Sequence, residues 1–303
     1  MAAFTAKDVS ALRERTGCGM MDCKKALTES NGDMEKAIEF LREKGLAAAA
    51  KKAGRIAAEG VVYATYDEAK KVGVIIEVNS ETDFVAKNDK FMDFVAVCAN
   101  TVIAENPASV EALLECNGAN GEGTIAAQLQ DKILTIGENL KIRRFTRYEG
   151  NAFGYVHGGG RIGTLVRFDT ELERNDAFKE FAKTIAMQIV ASNPSYVDKE
   201  SVPADVVAHE KEILTAQAIN EGKPAAIAEK MVMGRIGKFY KEVCLVEQPF
   251  IKDAETSVGA FISQSEKDMG GSVKISEFVR FEKGEGLEKR EDNFADEVAS
   301  MVK

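Results

Sequence analysis

Apolar residues recur at helical spacing through the first 45 positions: Val9 and Leu12, then Ala26 and Leu27, then Ala37, Ile38 and Leu41. This pattern predicts a head of three short helices over 5–45. Thr5 and Asp8 have the spacing of a variant capping box. Gly17 and Gly19 are expected to stop the first helix, and the second is expected at about 21–30. Asn31-Gly32 reads as a turn, Asp33 as the cap of the third helix and Gly45 as its end. Residues 46–58 read as a helical linker with one basic side.

Beyond the linker the pattern changes to strand pairs and repeats itself. Glu59-Gly60 and Val74-Ile75-Ile76 recur 90 positions later as Glu149-Gly150 and Thr164-Leu165-Val166. In the helix that follows, Asn88, Asp89, Phe91, Phe94, Asn106 and Pro107 recur 87 positions later as Asn175, Asp176, Phe178, Phe181, Asn193 and Pro194. Each Phe pair is spaced to lie on one helix face. A hairpin plus an amphipathic helix is therefore expected twice, in an α+β architecture. The change of offset makes the strand-to-helix loop three residues longer in the first copy, at 79–87. An addition to one copy of a duplicated scaffold marks that loop for function. Phe84 in it reads either as a wedge or as a side chain tucked into its own module.

Residues 204–242 predict a protruding helical hairpin. Val206, Val207, Ile213, Leu214 and Ile219 mark one helix, Gly222-Lys223-Pro224 the turn, and Ile227, Met231, Val232, Ile236 and Phe239 the other. A helix at 258–264, a strand at 273–281 and a final helix at 293–302 complete the chain. The expected division is a head and linker at 1–55, core subdomains at 56–148 and 149–282 with the arm at 204–242, and a C-terminal helical module at 283–303.

Charge modifies this picture. The net charge is -9, yet residues 1–55 hold 11 basic and 8 acidic side chains. A small basic head on an acidic body fits a protein partner and argues against broad nucleic-acid binding. The five cysteines form no Cys-x-x-Cys and read as reduced thiols. With no signal peptide and no long apolar run, the chain is expected to be cytoplasmic, with no membrane contact.

No phosphate loop, dinucleotide fingerprint or metal-ligand spacing occurs, and no cofactor or metal is expected. His157 and His209 are the two histidines, and neither has a nucleophile nearby in sequence. The glycines at 158–160 read as a hairpin turn whose flexibility explains them. The unusual feature of the head is Gly17-Cys18-Gly19-Met20-Met21 with Lys24. Either one methionine is core, or the pair is an adaptable apolar contact with a basic rim.

Five motifs then carry a resemblance. Residues 12–27, LRERTGCGMMDCKKAL, resemble the head of the elongation factor Ts family. So do Thr82-Asp83-Phe84-Val85-Ala86, Ile136-Gly137-Glu138-Asn139, His157-Gly158 with Arg161-Ile162-Gly163, and Gly222-Lys223-Pro224. The resemblance spans roughly 2–303, and the stretches near 104–124 and 266–274 depart from the common pattern. It implies a ubiquitin-associated-like head, two core subdomains, a coiled-coil arm and a C-terminal module. It also implies one partner, GDP-bound elongation factor Tu, from which GDP is released. By resemblance, Thr82, Asp83, Phe84 and Val85 dislodge the partner's magnesium. Arg13, Met20, Met21, Lys24, Ile136, Gly137 and His157 resemble interface positions. The arm is also a candidate for self-association. Two rival classes are a ubiquitin-binding module on an unrelated body and an enzyme built from distant carboxylates.

Overall fold

The computed structural model describes residues 4–222 and 224–288. The helix expected at 293–302, most of the 283–303 module and Lys223 lie outside the described residues.

The head forms because its caps and apolar stripe agree. Thr5 and Asp8 close a capping box on α1 (Ala6–Thr16), the Thr5 N–H donating to Asp8 Oδ2 at 2.7 Å. Gly17, at φ 67°, ends the helix. α2 (Met20–Glu29) follows, and Asp33 caps α3 (Met34–Lys52) by accepting from the Glu35 and Lys36 amides. Leu12, Cys23, Ala26, Leu27, Ala37 and Leu41 bury the common core.

The first sheet begins with the hairpin β1 (Glu59–Asp67) and β2 (Val72–Ser80). A single 3₁₀ turn at Val85–Lys87 leads into α4 (Asp89–Glu105), capped by Asn88 and closed by left-handed Asn106. α5 (Val110–Glu115) and α6 (Ile125–Ile136) precede β3 (Lys141–Glu149), which pairs with β2. The second sheet begins with β4 (Asn151–His157) and β5 (Ile162–Asp169). α7 (Asp176–Ser192) again has an Asn at each end, Asn175 and left-handed Asn193. The arm is α8 (Ala204–Asn220) and α9 (Ala225–Val243). β6 (Pro249–Phe250), β7 (Asp253–Ser257) and α10 (Val258–Met269) lead to β8 (Lys274–Glu282), which pairs with β5.

The molecule is thus mixed helix and sheet, and its duplication runs further than the hairpin and helix expected. β3 and β8 are the same returning strand, reading KIRRFTRYE and KISEFVRFE. Both ladders carry a bulge at matching positions, Glu77/Val78 and Arg167/Phe168. α4, α5 and α6 cover one face of the first sheet, and α7 and α10 cover one face of the second. The two remaining faces pack on each other around Val62, Ile75, Ala152, Leu165 and Phe281. Small residues let the sheets approach. A Cβ on Gly154 would lie 2.8 Å from the Ala64 Cβ, and one on Gly163 would lie 2.6 Å from Val62 Cγ1.

Several expectations are corrected. Gly45 does not end α3, which runs on through the predicted linker to Lys52. Its backbone is buried against α6, so the glycine serves close packing inside a helix instead of a stop. The turn at 158–160 is not explained by flexibility. Gly160, at φ 93°, is buried, and its carbonyl accepts from the Val62 amide at 2.8 Å. In the arm, Ile213, Ile219 and Ile227 are exposed, while Leu214, Ala218, Val232 and Ile236 are buried. Two helices that pack chiefly on each other bury a narrow seam. α10 extends five residues past the expected end at Gln264, to Met269.

Candidate functional site

The longer loop of the first copy leaves β2 at Ser80 and is tied down before it reaches α4. The Glu138 carboxylate accepts from the Glu81 amide at 3.0 Å, the Thr82 amide at 3.0 Å and the Thr82 hydroxyl at 2.6 Å. In return Glu81 Oε1 accepts from the Asn139 amide at 2.6 Å. Asn139 donates to the Arg55 carbonyl, and the Ser80 hydroxyl to the Thr82 carbonyl. On the far side of the loop, Val85 is buried in the core of the first sheet.

Between these two anchors Phe84 stands out with 77% of its surface exposed. The reading in which Phe84 tucks into its own module is overturned. A core-packed phenylalanine would bury most of that area at about 25 cal/mol per Å², and Phe84 forgoes that gain while its loop is held on both sides. Asp83 is exposed and lies 3.8 Å from Lys87.

Ile136 and Gly137 are at the end of α6, where Gly137 takes the left-handed cap at φ 91°. Phe84, Val85, Asn88, Lys90, Thr135 and Ile136 line an open recess of about 320 Å³. The head reaches the same place, because a Cβ on Gly17 would lie 3.3 Å from Lys90 Nζ and 3.8 Å from Thr135 Cγ2. Lys52, near the end of α3, donates to the Ile133 carbonyl at 3.3 Å. Burial, then the neighbouring Arg55, hold its ammonium below the ordinary lysine range.

The reading in which one head methionine is core is also overturned. Met20 is 45% and Met21 73% exposed, Lys24 one turn further along α2 is exposed, and so is Arg13 on α1. Cys18 and Cys23 fill the core positions instead. His157 does not line the recess. It is exposed at the end of β4, with its Nδ1 3.1 Å from the Tyr155 hydroxyl. Register places its turn at the same end of the paired sheets as the Phe84 loop, since Gly160 contacts the start of β1, whose Glu59 pairs with Ser80.

All five cysteines are free. Burial pushes the thiols of Cys18, Cys98 and Cys116 up, and that of Cys244 to about 11. Such thiols are poor nucleophiles. Among the described residues, no group of three His, Cys, Asp or Glu side chains is placed to hold a metal ion, and no helix is long and apolar enough to cross a membrane.

Sequence reasoning singled out Phe84, Val85 and Ile136 of the recess but not Lys90 or Thr135, and it missed what holds the loop. Glu138 was legible only as part of a motif. Nothing in its spacing from Glu81 announces a clasp across 57 residues.

The fold is thus mixed helix and sheet, and it leaves Met20, Met21 and Phe84 exposed, the last on a loop tied to Glu138. The family model described as Elongation factor TS matches residues 81–285. An elongation factor Ts of Clostridium botulinum is 52% identical over 302 residues, covering 99% of each chain. Those of Clostridium perfringens and Symbiobacterium thermophilum are 51% and 49% identical, each aligned over 98% of this chain and covered over 99% and 98% of their own. The chain belongs to the elongation factor Ts family, and is a translation elongation factor.

Proposed function

We propose that this chain binds GDP-bound elongation factor Tu and promotes GDP release, with Thr82, Asp83, Phe84 and Val85 displacing the magnesium ion that helps hold the nucleotide. The observation that carries the reading is the exposed Phe84 side chain on a loop anchored at both ends. A GTPase holds GDP through phosphate contacts and magnesium. Magnesium demands near-ideal octahedral geometry, so a small displacement of its support is costly. A rigid aromatic can impose that displacement, and coupling between factor and nucleotide is reciprocal. The factor then acts by binding and needs no bond-making chemistry of its own.

In this reading Met20, Met21, Lys24 and Arg13 dock the head on the GTPase domain, and Ile136, Gly137 and His157 extend the contact. Adaptable thioethers beside a basic rim suit such a surface. The chain works as a head at 1–55, cores at 56–148 and 149–282, a coiled-coil arm at 204–242 that is also a candidate for self-association, and a C-terminal module at 283–303. It acts in the cytoplasm, without direct contact to nucleic acid or membrane.

The test is release of labelled GDP from elongation factor Tu with and without this protein. Acceleration at substoichiometric factor is expected. Release at the unassisted rate would overturn the reading.

A further inference from the structure

Exposure alone does not make Phe84 a wedge. A side chain can push only if its support is stiffer than what it displaces, and a free loop would first have to be ordered on docking. The support is visible. Both oxygens of Glu138 are used, Oε2 by the consecutive amides of Glu81 and Thr82 and Oε1 by the Thr82 hydroxyl at 2.6 Å. These donors lie two and three residues before Phe84. Glu138 itself follows directly on the left-handed cap of α6, the helix that also packs against α3 of the head at Gly45.

Resting on the exchange reading above, we infer that Glu138 is a positioning residue for that reaction: its carboxylate fixes the Phe84 loop to the end of α6, so that docking of the head and presentation of the wedge share one rigid frame.

The chemistry favours a carboxylate. Oε2 takes the two amides and Oε1 the hydroxyl, and the negative charge strengthens all three bonds. Glutamine can keep the amides on its oxygen only by turning its NH₂ to the Thr82 hydroxyl, which must then accept, so neutral bonds replace charge-assisted ones. The reciprocal bond from the Asn139 amide to Glu81 would keep the two loops near one another but would not set the direction of the Thr82–Phe84 backbone.

The experiment is a double-mutant cycle between Glu138→Gln and Phe84→Ala in the full-length chain. It is read as the maximal rate of GDP release from GDP-loaded elongation factor Tu and, separately, as affinity for that partner. Glu138→Gln is expected to lower the maximal rate about tenfold, the scale of lost charge-assisted hydrogen bonds, with a much smaller change in affinity. In the Phe84→Ala background it should cost nothing further, because a misaimed alanine has no wedge to lose. Hydrogen exchange at the Glu81 and Thr82 amides should accelerate in Glu138→Gln.

Multiplying effects would show that Glu138 acts as general scaffold, and would overturn the inference, as would a loss confined to affinity. If Glu138→Gln folds poorly, Thr82→Val removes only the hydroxyl donor. It should reproduce part of the rate loss, and a normal maximal rate there overturns the inference. A slow Phe84→Ala with a normal Glu138→Gln overturns this inference alone. A normal Phe84→Ala removes the exchange reading and this inference together.

Discussion

Glu77, wholly buried in β2, accepts a 2.8 Å hydrogen bond from the backbone amide of Gly284, 207 residues further along the chain. Arg143, Arg144 and Asn79 also donate to its carboxylate. Burial pushes Glu77 up, but the Gly284 amide, Asn79 and the two guanidinium groups together outweigh it. The carboxyl ends below its ordinary range. A group depressed in the folded state contributes stability above its unfolded pKa, and that contribution is lost as pH falls through the folded value. Glu77→Gln should therefore lower the unfolding free energy by about 2–4 kcal/mol at pH 7. The gap from the parent should shrink as pH drops below the ordinary carboxylate range. Urea denaturation at pH 7 and at about pH 3, below the ordinary carboxylate range, tests this, and a constant gap would refute it.

Two glycines should respond oppositely to alanine. Gly45 lies inside α3, and a Cβ there would meet Gln130 O and Leu134 at an ordinary 3.7 Å. Gly45→Ala should raise stability by about 0.5–1 kcal/mol through reduced unfolded-state entropy. Gly160 sits at φ 93°, where a Cβ would overlap the Val61 side chain. Gly160→Ala should cost about 2–4 kcal/mol. Thermal melts of both variants decide the matter, and equal shifts would mean that the close approach of the two sheets is softer than it looks.

Met20 and Lys24 are both exposed, so replacing them together with alanine should leave the melting temperature within a few degrees of the parent. Affinity for elongation factor Tu should fall by about tenfold, the scale of a modest interface hot spot. Calorimetry on the purified complex reads the second quantity. Normal binding removes the docking role, and an early melt would instead make these residues structural.

The arm carries its own small core of Leu214, Val232 and Ile236. Its base is closed by bonds from the Ser195 and Tyr196 amides to the Val243 carbonyl. Replacing residues 206–240 with a short linker should leave the two sheets and their helices intact, since compact insertions with neighbouring ends are tolerated. Circular dichroism should lose helix in proportion to the segment removed. An aggregated product would show that the arm supports the core.

The legible parts of the fold are those that depend on local chemistry. Caps at Thr5 and Asp33, the recurrence of Asn88 as Asn175 and the paired phenylalanines of α4 and α7 announce themselves through spacing alone. Long-range pairing does not. β3 and β8 share a pattern at an offset different from the hairpins, so neither repeat distance finds it. Gly45 reads as a stop because a sequence cannot show the helix crossing that buries it. The site divides the same way. Phe84 is conspicuous as an aromatic in an added loop, whereas its exposure and the Glu138 clasp exist only after folding.

Phe84→Ala should keep the fold, because the side chain stands outside the core while Val85 anchors the loop. In the proposed reading, contacts from the head and the Ile136-Gly137 turn supply most of the affinity. Loss of the wedge should therefore appear in rate. GDP release from elongation factor Tu at saturating factor should slow by about tenfold or more. Removing magnesium with a chelator takes away the ion that the loop is proposed to displace, so it should narrow the difference between mutant and parent. Stopped-flow release of a fluorescent GDP, with and without chelator, separates the two parts of the argument. Unchanged release at saturating mutant would sink the wedge. A slow mutant whose deficit persists without magnesium would keep the wedge and move its target to the phosphate or base contacts of the nucleotide.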